Sequence, residues 1–210
     1  MSIILHRDLE GEAEFRKRLS VIGSFPRSGS HWLRRMLAEL VAINNGLPSP
    51  KFGKEMSGVA GFHKDFEDGE WRKSTGPLIV ATHLLTRYGI KNMQVYLRRD
   101  FEEVYRSTLK ATRELDDVWW YGGSREACYQ KWCDNQAQGV AQAKLVLDYN
   151  VTKADPRAAV RAVCVAIELP YTEDSLDRAI AAGSRENMLA EQSEMENVEF
   201  EIVNKEGATL

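Results

Sequence analysis

Ser20-Val-Ile-Gly-Ser-Phe-Pro-Arg-Ser-Gly-Ser-His-Trp-Leu-Arg-Arg-Met36 is the stretch on which the reading of this chain turns. Residues 20–25 form a short apolar run of the kind that becomes a buried strand. Residues 26–31 form a Gly/Ser loop. From 32 to 43 the apolar residues Trp32, Leu33, Met36, Leu37, Leu40 and Val41 recur at helical spacing, and Asn44-Asn-Gly-Leu-Pro48 stops the helix. The unit is strand, glycine loop, helix. Such a loop presents backbone N–H groups at a helix N-terminus, where the dipole adds partial positive charge, and phosphate suits that cradle. Ser28 and Ser30 add hydroxyl donors, and Arg27 adds a charge able to hold two oxygens at once. Read alone, the loop is also compatible with an ordinary strand-to-helix turn.

The loop is not G-x-x-x-x-G-K-[ST]. Gly23 and Gly29 have the wrong spacing, no Lys-Ser/Thr pair follows Gly29, and no Asp stands in a metal-holding role. That pattern points away from magnesium–ATP and toward an anion held without metal.

Outward from this unit, residues 49–76 are rich in Gly, Lys, Asp and Glu with little periodicity, and read as a surface excursion. Residues 78–82 and 92–97 are expected strands. Residues 101–115 read as a helix, and 116–123 as a loop holding Trp119, Trp120 and Tyr121. Ser124 is a candidate N-cap for a long helix to about residue 144, followed by a strand over 145–149. Asp155-Pro156 opens a helix to about 168, Thr172 caps another, and Ser184 a last one. Strands alternating with helices predict an α/β fold: a three-layer sandwich with a mainly parallel central sheet and a P-loop-like phosphate-binding loop. With neither repeat nor low-complexity linker, residues 1–210 are expected to form one domain with its core at about 20–190.

Net charge is −3, so no global positive field marks a nucleic-acid binder, and any anion site must be local. Basic residues cluster at Arg27, Arg34 and Arg35, and again at Arg98, Arg99, Arg106, Lys110 and Arg113. Cys128, Cys133 and Cys164 fit neither a disulfide framework nor a metal pattern and read as reduced thiols. Residues 1–20 lack the apolar stretch of a signal peptide, and no run approaches the length of a membrane span. The expectation is a cytoplasmic protein without membrane or nucleic-acid partners; the sequence does not reveal its oligomeric state.

Three segments in order carry a family resemblance. Phe25-Pro-Arg-Ser-Gly-Ser-His-Trp-Leu33 resembles the 5′-phosphosulfate loop of sulfotransferases that use PAPS (3′-phosphoadenosine-5′-phosphosulfate). Ile79-Val-Ala-Thr-His-Leu84 resembles the family's strand ending in Thr-His, whose histidine is the catalytic base. Val95-Tyr-Leu-Arg-Arg-Asp-Phe-Glu-Glu-Val-Tyr-Arg-Ser107 resembles its 3′-phosphate motif. Tyr149 sits where the family often has a tyrosine at a strand end, and Ser184-Arg-Glu-Asn-Met188 resembles a segment near the adenine.

The resemblance implies a sulfotransferase moving the sulfuryl group of PAPS to a hydroxyl or amine of a small-molecule or carbohydrate acceptor, leaving PAP, without metal. Catalysis would fall to His83 as base and Arg27 at the leaving phosphate. Cofactor binding would fall to Arg27, Ser28, Gly29, Ser30, His31, Trp32, Arg99, Ser107, Tyr149 and Arg185. Trp32 is equally readable as a core residue. His63 reads as a loop histidine, with an acceptor-pocket role as the alternative. The aromatic run 119–121 reads either as an acceptor wall or as simple packing.

There are departures. Ala81 replaces a common Lys, Arg185 replaces a stacking Phe, and Asn204-Lys-Glu-Gly207 is a poor version of the family's closing phosphate grip. A non-catalytic or divergent nucleotide-binding relative and a kinase-like phosphotransferase are the rival readings.

Overall fold

Apolar runs too short to hide themselves are buried here by pairing side by side. In the computed structural model, which describes residues 17–51, 61–62, 77–83, 85, 93–111 and 123–191, β1 (Leu19–Ser24) leads through a loop into α1 (Ser30–Asn44). β2 (Gly61–Phe62), β3 (Leu78–Thr82) and β4 (Met93–Arg98) follow, then α2 (Phe101–Ala111) and α3 (Arg125–Gln142). The chain continues through β5 (Ala143–Asp148), α4 (Tyr149–Ala154), α5 (Pro156–Ala166) and α6 (Glu173–Ala182), and a helical stretch at 185–191 closes the described part. The strands lie in the order β2-β3-β1-β4-β5 and every pair is parallel.

A parallel sheet needs cover on both faces. Ile22, Val95, Leu97 and Leu147 point to one face and share a core with Leu33, Met36, Leu37 and Leu40 of α1, Val160 and Val163 of α5, and Leu176 of α6. Val21 and Tyr96 point to the other face, where α3 lies over β4, β1 and β5. α1 is enclosed on all sides, since every residue from 33 to 42 is buried. At about 1.5–3 kcal/mol for each fully buried large apolar side chain, this helix is a main source of stability.

The fold class expected from the sequence is the observed one, with local corrections. The excursion 49–76 is not wholly irregular, because Gly61–Phe62 adds an edge strand beside β3. The long helix ends at Gln142, not 144, and β5 begins at the next residue. β5 itself ends at Asp148, whose carboxylate accepts from the Asn150 N–H and starts α4, so Tyr149 opens a helix and does not end a strand. The expected caps hold: Ser124, Asp155 and Thr172 each accept a hydrogen bond from a first-turn N–H, and Ser184 accepts from Asn187. Helix α2 is described to Ala111. His63 and the aromatic run 119–121 lie outside the described residues. All three cysteines are free, and among the described residues no helix is long and apolar enough to cross a membrane.

Helix α3 lies against the sheet only because position 139 has no side chain. A Cβ on Gly139 would lie 2.1–2.5 Å from the Tyr96 ring, whose residue is fully buried. Gly139→Ala gains about 1 kcal/mol of helix propensity but forces this overlap. A net loss of about 1–3 kcal/mol is expected, read as a lower urea midpoint with unchanged slope. An unchanged or raised midpoint would refute the close-approach argument.

Candidate functional site

Parallel strands end on the same edge of a sheet, and ligand sites of such folds form there, where the chain reverses its direction of travel across the strands. Here the chain leaves the central β1, builds β2 and β3 on one side, and crosses to β4 and β5 on the other. The loop after β1, His83 after β3, Arg99 after β4 and Tyr149 after β5 consequently share one edge.

The loop after β1 turns through two left-handed residues, Arg27 (φ 66°) and Gly29 (φ 94°). For Arg27 this conformation is strained, a cost of the order of 1–2 kcal/mol that the surrounding contacts must offset. For Gly29 it is cheap, and a second constraint also demands glycine: an added Cβ would lie 2.6 Å from the Tyr149 ring. Gly29 is the N-cap of α1 and offers no side-chain cap, and the first turn carries no acidic residue. The first-turn N–H groups have no acceptor within the helix, which leaves partial positive charge at this end of α1. Ser28 is fully buried in the loop with its Oγ unpartnered.

The second basic cluster meets the loop directly. Arg99 Nη1 donates to the Arg27 carbonyl at 2.9 Å, its Nε donates to Glu103 at 3.0 Å, and its guanidinium lies 4.1 Å from the centre of the Tyr149 ring. Arg27 Nε donates to Ser107 Oγ at 3.2 Å. Tyr149 in turn meets Trp32 edge-on at 6.0 Å between centroids, and Trp32 is half-buried against the core. Arg27, Gly29, Trp32, Arg99, Ser107 and Tyr149 are therefore joined through direct contacts. The Arg99 guanidinium holds the Glu103 carboxyl below the usual carboxylate range.

His83 stands on the other side of β1. Its Nδ1 lies 2.9 Å from the Ser24 carbonyl and 3.2 Å from Ser24 Oγ. A carbonyl only accepts, so Nδ1 carries the proton and the ring's lone pair belongs to Nε2. Burial pushes the His83 pKa below the ordinary value and Arg34 lowers it further, against the opposing pull of the Ser24 carbonyl. Desolvation, and then the charges of Arg34, His83 and Arg27, lower the His31 pKa to about 4. Both imidazoles are neutral near pH 7.

Other sequence candidates fare differently. Arg98 pairs with Asp148 at 3.4 Å on the surface, and Arg106 Nε donates to the Glu102 carbonyl. Arg185 begins the stretch 185–191, is exposed, and among the described residues no contact joins it to the loop. Ser24 was not legible as a partner of His83, because 59 residues separate them and only strand pairing brings them together. The Arg99–Glu103 pair was legible from its i, i+4 spacing.

Two solved structures share this fold. A mouse sulfotransferase, SULT7A1, complexed with PAP aligns at a TM-score of 0.50 and 16% identity, over 82% of this chain and 66% of its own. Retinol dehydratase in complex with androsterone and the inactive cofactor PAP aligns at 0.51 and 16%, over 81% of this chain and 65% of its own. The chain thus spans slightly less than two thirds of the length of either. No family profile and no curated protein matches the sequence.

The depressed histidines carry a pH signature. Between the folded values and the unfolded value of 6.5, the unfolded chain binds more protons at His31 and His83 than the folded one. Stability therefore rises with pH across that window and is lost as pH falls from about 6.5 toward 4. Urea midpoints measured at intervals over this range should show the slope, and His31→Gln should flatten it. An unchanged slope in that variant would count against a neutral His31.

Proposed function

We propose that this chain is a PAPS-dependent sulfotransferase. The observation that carries the reading is the contact between the two halves of the basic site: Arg99 and Ser107, from one sequence motif, both bond to Arg27 of the other, with His83 on the adjacent strand end. The donor set suits a nucleotide with two separate phosphate groups. Unpartnered buried Ser28 Oγ, the open N-terminal turn of α1 and Arg27 fit one phosphate, with Ser30 and His31 in the same turn. Arg99 and Ser107 fit the other. Tyr149 and Trp32 supply the apolar wall, and Arg185 is proposed for the adenine. Because the groups offered are cations and N–H donors, metal is not required by the proposal.

Bound PAPS supplies an activated sulfuryl group on a phosphate that leaves readily. The chain's own residues do the rest. Neutral His83, with its lone pair on Nε2, takes the proton of an acceptor hydroxyl or amine. Arg27 stabilises the charge growing at the leaving phosphate. The N–H groups of residues 29–31, with the Ser28 hydroxyl, hold that phosphate so that attack is in line. The acceptor is a small molecule or a carbohydrate, and the protein works in the cytoplasm as a single domain. A second reading, nucleotide binding without transfer, draws support from Asn204-Lys-Glu-Gly207, a poor version of the closing phosphate grip.

Titration calorimetry with PAP tests the first reading. PAP should bind equally with magnesium or with EDTA, and Arg99→Gln should weaken it by about 10–100-fold. Transfer from labelled PAPS to an acceptor panel should fall by about 100-fold or more in His83→Ala, while PAP still binds. Absence of PAP binding alongside tight magnesium–ATP binding would overturn the proposal. PAP binding with no turnover on any acceptor would favour the second reading.

A further inference from the structure

Helix α3 presents Trp132, Asn135 and Gln136 at i, i+3 and i+4, on one face. That face does not only cover apolar surface. Trp132 Nε1 and Gln136 Nε2 both donate to the Arg99 carbonyl, at 3.1 and 3.2 Å. Asn135 Nδ2 donates to the His83 carbonyl at 2.9 Å, and the Tyr96 hydroxyl donates to Asn135 Oδ1 at 2.7 Å. The amide orientation is fixed by chemistry: the His83 carbonyl can only accept, so nitrogen must face it. His83 and Arg99 each lie just past the last residue of a strand, where the ladder no longer supplies donors. The α3 side chains supply them.

We propose that this face of α3 positions both ends of the site: Asn135, backed by Tyr96, aims the His83 imidazole, and Trp132 with Gln136 fixes Arg99. The argument rests on the sulfotransferase reading for the roles of His83 and Arg99, but not for the geometry. His83 is held at two points, its carbonyl by Asn135 and its ring by the Ser24 carbonyl. Releasing the first frees the backbone to rotate the ring off the second, and the proton is then no longer confined to Nδ1. Tyr96 is fully buried and held against Gly139, so the relay starts from a rigid anchor.

The test uses the full chain with ¹⁵N-labelled histidine, His83 being assigned by comparison with His83→Gln. Asn135→Asp keeps the shape and the Tyr96 bond but turns an acceptor toward the His83 carbonyl. At pH 8 the wild type should show one neutral tautomer at His83, protonated at Nδ1, and Asn135→Asp should show a mixture of both. Turnover should fall by about 100-fold with acceptor KM and PAP affinity nearly unchanged. Gln136→Leu should leave the His83 tautomer alone and weaken PAP by about three- to tenfold.

If Asn135→Asp fails to fold, the double variant Tyr96→Phe/Asn135→Leu removes both polar partners together and strands no hydroxyl; the same nitrogen spectra decide. A single Nδ1-protonated tautomer in a folded variant overturns the Asn135 role, and unchanged PAP affinity in Gln136→Leu overturns the Arg99 role. Should the wild type bind no PAP, the functional reading falls, while the tautomer result still decides whether Asn135 aims the ring.

Discussion

The guanidinium of Arg99 is seated on the backbone carbonyl of Arg27 at the edge of this sheet, and the site is organised around that contact. Arg99 donates to the Arg27 carbonyl, pairs with Glu103, and lies over the Tyr149 ring, a face that attracts cations. The helix end beside Arg27 adds further positive potential and no carboxylate in its first turn answers it. The geometry gathers positive charge at this edge of the sheet. Neutral His31 and His83 fit the same logic, because further protons in this field are disfavoured.

What could be read from the chain alone was local chemistry. The glycine loop, the strands around it and the capped helices follow from spacing, since periodicity and N-caps act over a few residues. The strand at Gly61–Phe62 left no trace, because a two-residue edge strand takes its identity from its neighbour and not from its own side chains. Tyr149 was displaced from strand end to helix start because Asp148 is both the last strand residue and a cap. Pairings such as Ser24 with His83, or Asn135 with the His83 carbonyl, depend on strand order, which no local pattern encodes.

The basic cluster Arg27, Arg34, Arg35 also shows where composition misleads. Only Arg27 is exposed. Arg35 is buried and grips both oxygens of Glu191, at 3.1 and 2.8 Å, with Glu39 on its third nitrogen. Glu39 in turn accepts from Ser49 and pairs with Arg178. Removing one partner from such a buried set is costly, since the remaining charge is left without compensation. In sequence these arginines look like one anion-binding patch. In space one serves the loop and another ties the last described helix to the interior.

The enclosure of α1 has a consequence for recognition. A helix hemmed in along residues 33–42 has no slack with which to tilt or slide. On the sulfotransferase proposal its leading turn is a fixed socket, and a guest must match it as it stands. Adaptation to new guests over evolutionary time would have to come from the rim of the sheet edge, leaving the socket itself untouched.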